Sequence, residues 1–252
     1  GWITYMRTDS THLSEQALNA ARTLISKNYG ASFLPEKERT YVSSDSGAQE
    51  AHEAIRPAGE SFKTLATAQA KLSGQEYKLY ELIWKRTVAS QMKNAAGEKL
   101  RAVFKVDQAE LVATGKTYTF QGFRLAYVEG FDDERNSKLQ AEKLLPYFSV
   151  NDILDLKDII TDGHSTKPPA RYTEASLVKT LEQNGIGRPS TYASIIDNIS
   201  NKNYVFSRAS ALVPSFKGMI VTQFLEKYLA WLVDYSFTAS MESELDKVAQ
   251  GN

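Results

Sequence analysis

The chain has 252 residues, 42% of them apolar and 24% charged, with Lys plus Arg and Asp plus Glu equal at 30 each and no cysteine. That length suits one large domain or two to three small ones, and the missing cysteines exclude disulfides, thiol catalysis and thiolate metal sites. No run of 18 apolar residues offers a membrane span, and zero net charge argues against a simple nucleic-acid coat but leaves room for a local basic cleft.

Gly1-Trp2-Ile3 carries no positive n-region and no signal-like apolar region. The chain opens on a crowded functional kit, and that start suggests a piece of a larger enzyme. Next, Ser14 to Tyr29 predicts a helix. Ser14 caps it, Leu13, Ala17, Leu18, Ala21, Leu24 and Ile25 recur at helical spacing, and Gly30 stops it. Pro35 to Glu50 is polar and reads as loop. Ser73 to Met92 predicts a second long helix, with a stripe of Tyr77, Tyr80, Leu82, Ile83, Trp84 and Val88 whose plain reading is packing.

From about Gln91 to Ile160 the pattern turns β-like. Leu100 to Val106, Glu110 to Ala113, Lys116 to Phe120 and Phe123 to Tyr127 predict short strands, with turns at Gly115 and Gly122. A short turn is expected across Lys93 to Glu98, and Asp132 to Arg135 reads as an exposed loop. Leu144 to Phe148 and Ile153 to Ile159 can close a small sheet.

A third zone starts near Thr166. Lys167 to Tyr172 contains two prolines and reads as extended. Thr173 caps a helix through Glu182, with Ser176 a poor substitute for the acidic partner of a capping box. Asn184 to Gly187 ends it, and Ser190 or Thr191 caps a second helix through Ile199. Asn201 to Phe206 follows as turn and strand. Helix, tight turn, helix and strand suggest a winged-helix-like module, and equally fit a helical hairpin that never meets DNA. Val221 to Val233 and Phe237 to Val248 predict closing helices.

Three clusters carry chemistry. In the first, Tyr5, Arg7 and Asp9 share one face of an extended segment, with the hydroxyls of Thr8, Ser10 and Thr11 beside them. A phenol, with a reference pKa near about 10, is a weak nucleophile at neutral pH. A guanidinium favours the phenolate and holds a phosphate by a bidentate fork. A carboxylate orients that guanidinium, binds a metal or shuttles a proton. The competing reading is a strand end leading into a helix cap.

The second cluster is Gln49 to Pro57. His52, Glu53 and Arg56 fall within one turn if this stretch is helical, His52 and Arg56 as an i,i+4 pair whose imidazole and guanidinium together make a phosphate pocket. The competing reading is a capped turn with a surface Arg-Glu pair. The third cluster, Gly185 to Tyr192, places glycines before Ser190, Thr191 and a new helix N-terminus, a setting that suits phosphate. It is neither a P-loop nor a dinucleotide fingerprint, so ATP or NAD use has no support. His12, His52 and His164 are far apart and no H-E-x-x-H occurs, so a zinc hydrolase has little support either.

Taken in order, these stretches resemble the type IA DNA topoisomerases, specifically the central part of bacterial topoisomerase I with a lean toward the cyanobacterial or plastid branch. The carrying motifs are Gly1 to Thr11, Glu50 to Pro57, Thr166 to Val178, Gly185 to Ala193 and Phe237 to Glu242, spread over essentially the whole chain.

The resemblance implies a mixed α/β, mainly helical fold with a gate, a β-rich arch and winged-helix-like modules. Residues 1–90 correspond to the gate domain carrying the tyrosine, 91–163 to part of the arch, and 164–252 to a single-stranded-DNA-binding domain. It also implies that Tyr5 is the nucleophile, forming a 5′-phosphotyrosyl link, and that Arg7 holds the scissile phosphate. Asp9 supports cleavage and rejoining, and His52 stands at the edge of the site. Thr8, Ser10, Thr11, Glu53, Arg56, Arg171, Arg188, Ser190 and Thr191 are implied DNA contacts.

The family's Mg2+ is held by a Toprim domain that this sequence lacks, so no metal is expected in the chain itself, nor independent relaxation of supercoils. Implied partners are single-stranded and negatively supercoiled DNA and the Toprim domain of the same polypeptide. A monomer is expected, away from membranes, in the bacterial cytoplasm (nucleoid) or, in a eukaryote, the plastid. Two other functions compete: a DNA-binding module without chemistry, and a phosphodiesterase using Tyr5 as a transient nucleophile.

Overall fold

The computed structural model of the chain describes residues 1–6, 8, 10–41, 52–128, 145, 146, 148–166, 168–249 and 251. They form a mixed α/β, mainly helical fold.

The first helix, α1 (Glu15–Tyr29), begins where the sequence predicts. Ser14 Oγ accepts the Ala17 N–H at 3.4 Å, Glu15 and Lys27 sit at the helix ends that suit their charges, and the Gly30 N–H bonds back to Ile25 and Ser26 carbonyls. Its inner face is small: Ala17, Ala20 and Ala21 are buried beside Leu18 and Ile25. A short helix, α2 (Leu65–Lys71), capped by Thr64, follows. The next, α3 (Gly74–Ser90), starts with a capping box in which the Ser73 N–H donates to Glu76 Oε2 at 2.9 Å.

Of the stripe read on α3, Tyr80, Trp84 and Val88 are buried, whereas Leu82 is exposed. They join Ala20, Ala21, Ile25, Phe62, Ala68, Met92 and Ala126 in one core, with Trp2 and Ile3 packed against it. Behind the core, Gln91 is fully buried and reads the backbone of Arg39 in both directions. Its Oε1 accepts the Arg39 N–H at 3.2 Å and its Nε2 donates to the Arg39 carbonyl at 3.0 Å.

The β region differs from its prediction. Among the described residues it is one antiparallel ribbon of β1 (Ala96–Val106) and β2 (Ala109–Phe120), in register from Gly97↔Tyr118 to Val106↔Ala109, with a shift where Ala96 pairs with Phe120. Gly115 is no turn; it pairs with Leu100 inside β2. Because the partner strand runs on unbroken, its ladder carries β2 through the glycine. The short turn expected across Lys93 to Glu98 gives way to the start of β1. Phe123 to Tyr127 is not a strand either: Gly122–Leu125 is a 3-10 turn, and the Tyr127 N–H bonds to the Phe123 carbonyl. A Cβ on Gly122 (φ +53°) would lie 2.5 Å from the carbonyl carbon of Asn94, so only glycine fits this corner.

The sheet closure expected from Ile153 to Ile159 is absent, that stretch holding no strand. Leu145 and Phe148 still touch the ribbon: the Leu145 carbonyl accepts from Thr117 Oγ1 at 2.8 Å, and the Phe148 ring stands edge-on to Phe104, centroids 5.5 Å apart. Asp132 to Arg135 and Leu144 lie outside the described residues.

The third zone holds α4 (Glu174–Gln183), α5 (Tyr192–Asn201), a hairpin of β3 (Val205–Arg208) and β4 (Ala211–Pro214), then α6 (Phe216–Tyr228) and α7 (Tyr235–Ala249). Ser176 caps better than expected: its Oγ accepts the Thr173 N–H at 2.8 Å while Thr173 Oγ1 accepts the Ser176 N–H at 3.1 Å. Helix, turn, helix and strand appear in the order read from the sequence, and β4 adds a second strand that was not read there. A Cβ on Gly218 of α6 would lie 2.3 Å from the Tyr204 carbonyl oxygen, which is how closely the helix approaches the wing's first strand.

Candidate active site

Residues 1–4 are seated by long-range contacts rather than by a helix or strand of their own. The Trp2 ring stands edge-on to Tyr80 of α3, centroids 5.4 Å apart, and Lys63 Nζ lies 4.4 Å from the centroid of the same Trp2 ring. Ile3 pairs with Pro57 in an antiparallel bridge. On either side of that bridge the Ala58 N–H donates to the Trp2 carbonyl at 3.0 Å and the Thr4 N–H to the Arg56 carbonyl at 2.9 Å. Thr4 Oγ1 donates to the Ala54 carbonyl at 3.0 Å and accepts the Arg56 N–H at 3.0 Å.

Trp2, Ile3 and Thr4 are all partly buried, Trp2 and Ile3 against the core, and the chain leaves the packed surface at the next two residues: Tyr5 is 80% exposed and Met6 69%. A phenol presented this way can meet a large substrate.

The segment that receives this strand is itself held rigidly. Residues 52–58 form no helix, with a bend at Ile55, so the helical condition for an i,i+4 pair of His52 and Arg56 is not met. Instead Arg56 is 5% exposed and its guanidinium is spent internally. Nε and Nη2 donate to the two carboxylate oxygens of Glu53 at 2.8 and 3.1 Å, and Nη1 donates to the Pro57 and Gly59 carbonyls at 2.8 and 3.2 Å. Glu53 Oε1 also accepts the Ser14 N–H at 2.9 Å, which ties the start of α1 to the same segment. Burial pushes the Glu53 carboxyl up, but hydrogen bonds from Arg56 and Ser14 together with the Arg56 charge outweigh it and hold the group below its ordinary range. The Ala54 N–H donates to the His12 carbonyl at 2.7 Å, and the His12 N–H donates to Ser10 Oγ at 3.1 Å.

The structure therefore brings Tyr5, Ser10, Glu53 and Arg56 into one bonded frame, with His52 half-buried at its edge. Thr11 Oγ1 reaches the Tyr41 carbonyl at 3.1 Å, and Thr8 is exposed. Arg7 and Asp9 lie outside the described residues. Sequence reasoning missed Thr4 and the carbonyl of Ala54. No local signal marks Thr4, because the groups its hydroxyl bonds lie 50 and 52 residues away.

The third cluster sits against α7. Arg188 Nη2 bonds Asp246 Oδ2 at 2.6 Å, and Arg188 Nη1 lies 3.8 Å from Glu242 Oε2. The hydrogen bond it donates to Asp246, with the nearby acidic charges, holds the Arg188 guanidinium above its ordinary value. The Gly187 N–H donates to Glu242 Oε1 at 3.2 Å. Thr191 Oγ1 accepts the Arg188 N–H at 2.8 Å, closing the turn that starts α5. Arg171 and Ser190 are exposed. Glu242 and Asp246 were not anticipated as partners of Arg188, because 54 and 58 residues separate them in sequence.

Among the described residues no group of three His, Asp or Glu side chains is placed to hold a metal ion, and no helix is long and apolar enough to cross a membrane.

Comparison with known proteins agrees along the whole chain. The sequence profile of a family described as DNA topoisomerase matches residues 1–252. DNA topoisomerase 1 of Streptomyces coelicolor is 54% identical over 256 residues, covering all of this chain and 27% of that protein. DNA topoisomerase 1 of Mycobacterium tuberculosis is 52% identical over 260 residues, and that of Synechocystis is 51% identical over 251 residues. Each match covers all of this chain and 28% of the relative. The solved structure of full-length topoisomerase I from Thermotoga maritima superposes with a TM-score of 0.77 at 37% identity, covering 99% of this chain and 39% of that one. The chain thus spans a little over a quarter of the length of these curated relatives. Over the part it does span, sequence and fold agree that it belongs to the type IA bacterial DNA topoisomerases.

Proposed function

We propose that this chain is the tyrosine-bearing part of an ATP-independent enzyme that relaxes negatively supercoiled DNA by cutting and rejoining one strand. The observation that carries the reading is Tyr5, held out into solvent by a strand pinned at Ile3 and Thr4. In the forward step the Tyr5 phenolic oxygen bonds to phosphorus and the bond from phosphorus to the 3′-oxygen breaks. The phenol gives up its proton and the departing 3′-oxygen takes one. The 5′-phosphate is then esterified to Tyr5, the other strand passes through the gap, and the 3′-hydroxyl reverses the reaction. One ester replaces another in each step, so no nucleotide hydrolysis is needed.

Arg7 is the proposed phosphate clamp, Asp9 its carboxylate partner and His52 a donor at the edge of the site. Thr8, Ser10 and Thr11 are proposed strand contacts near the nucleophile. Arg171, Ser190, Arg188 and Thr191 are proposed contacts farther along, where backbone phosphates and stacking give salt-dependent binding. Glu53 and Arg56 serve that reading by supporting the strand, since their charges are already engaged with each other. A hard cation needs several oxygen ligands, and the described residues form no such set. Magnesium therefore belongs, in this proposal, to a Toprim-type part of the longer polypeptide, and the chain's own work is nucleophile presentation and strand binding. The gate, arch and DNA-binding assignments of residues 1–90, 91–163 and 164–252 form part of the same proposal, as does a monomer working in the bacterial cytoplasm.

Tyr5→Phe, made in a full-length topoisomerase carrying this chain, tests the central point. With internally labelled single-stranded DNA, the covalent adduct seen under denaturing conditions should vanish while DNA binding remains. An adduct that persists in the variant refutes the assignment. The helix–turn–helix and wing of residues 174–214 favour a second reading, a DNA-binding module without chemistry. That reading predicts tight duplex binding by the third zone alone.

A further inference from the structure

We propose that Thr4 is a positioning residue for the nucleophile, its hydroxyl setting where Tyr5 stands. The inference rests on the reading of Tyr5 as the nucleophile. Three bonds converge on Thr4 from a segment about fifty residues away. Its N–H donates to the Arg56 carbonyl, its Oγ1 donates to the Ala54 carbonyl, and the same Oγ1 accepts the Arg56 N–H, all within 2.9 to 3.0 Å. A hydroxyl is the smallest side group that can donate and accept at once, and both of its capacities are used.

The two residues it grips are themselves immobilised. Ala54 is tied by its N–H to the His12 carbonyl, and Arg56 is tied through its guanidinium to Glu53, Pro57 and Gly59. The clamp is therefore anchored to the start of α1 through Ser14 and Glu53 as well as to its own loop. Tyr5 is the next residue along, one Cα–Cα step of about 3.8 Å away, and is 80% exposed where Thr4 is partly buried. Any slip of Thr4 along or away from residues 54–56 is passed directly to the phenol. Displacement at phosphorus demands aligned reacting atoms, and a misplacement of about 1 Å costs on the order of a hundredfold in rate.

The test uses a full-length topoisomerase carrying this chain, with Thr4→Val, Thr4→Ser and Tyr5→Phe. Each is mixed with saturating, internally labelled single-stranded DNA, and both the rate constant and the amplitude of adduct formation are recorded. Loss of folded protein lowers the amplitude and leaves the rate constant alone, so the rate constant separates positioning from stability. Thr4→Val keeps the shape and deletes the hydroxyl. Its rate constant should fall roughly 10- to 100-fold, with the DNA dissociation constant within about twofold of the parent. Thr4→Ser, which keeps the hydroxyl, should restore most of the rate. A Val variant that reacts at the parental rate overturns the proposal, and so does a Ser variant as slow as Val. An adduct in Tyr5→Phe overturns the underlying assignment instead, so the two failures are distinct.

Discussion

Replacing Glu53 by Gln should destabilise the chain by about 2 kcal/mol at neutral pH, and the loss should fade in acid. The Glu53 side chain is 28% exposed and that of Arg56 only 7%. The glutamine keeps its volume and one acceptor, so the Ser14 N–H and Arg56 Nε can still be served. What is lost is the charge and the second acceptor, which leaves a buried guanidinium facing an amide N–H₂. Deleting one partner of a fully buried pair costs about 3–5 kcal/mol. Hydrogen bonds to charged groups are worth about 1.5–3 kcal/mol, and the partial exposure of Glu53 together with the retained acceptor brings the estimate to the lower part of that range. For a chain of this size about 2 kcal/mol is a drop of roughly 4–8 °C in Tm.

The sign with pH follows from the shift. The Glu53 carboxyl is lowered in the folded state. Its contribution is therefore complete above the ordinary carboxyl value of 4.5 and is lost as pH falls through the lower folded value. Thermal melts followed by circular dichroism at pH 7 and at steps below 4.5 should show parent and variant converging. A variant that melts with the parent at pH 7, or a gap that stays constant into acid, refutes the reasoning.

Two other predictions concern the support behind the site. Burial pushes the Tyr80 phenol up to about 12. The protonated form is favoured by folding, so this part of the stability holds below the ordinary value of 10 and is lost as pH rises toward 12. Tyr80→Phe, which also deletes the 2.7 Å bond to the Lys63 carbonyl, should cost about 1 kcal/mol at neutral pH. It should also remove the latest-ionising phenol from an ultraviolet titration. Gln91→Leu leaves the Arg39 N–H and carbonyl without the partners that Gln91 supplies, a loss of about 2 kcal/mol. Tryptic cleavage after Arg39 should then accelerate by more than about tenfold; an unchanged rate would show that the loop is held by other means.

Local signals were legible in the sequence. Ser14, Ser73 and Thr173 each announced a helix start through chemistry confined to three residues, and each helix begins there. The short α2 went unread, although Thr64 caps it in the same way. The ribbon was misjudged at Gly115 because a glycine reads as a break until its partner strand is known, and Leu100 is fifteen residues away. The candidate site was half legible for the same reason. The cluster of functional groups around Tyr5 could be read locally, but its exposure beside the packed Trp2 and Ile3 could not. The non-helical form of residues 52–58 goes with their pairing to residues 2–4, which no local window contains.

That pairing also sets an order of events as the chain folds. Helices and a two-stranded hairpin such as β1–β2 form within microseconds from neighbouring residues. The bond between Thr4 and Ala54, by contrast, closes a loop of about fifty residues, an entropy cost that must be met before the contact returns anything. Its far side needs Glu53 docked on Ser14, and its near side needs Trp2 on Tyr80. The tyrosine is therefore aimed only when the surrounding ninety residues have assembled. Until then the phenol rides on an untethered segment, where it holds no fixed line of attack on a phosphodiester. On the proposed reading of Tyr5 as the nucleophile, strand cutting is then conditional on a completed fold.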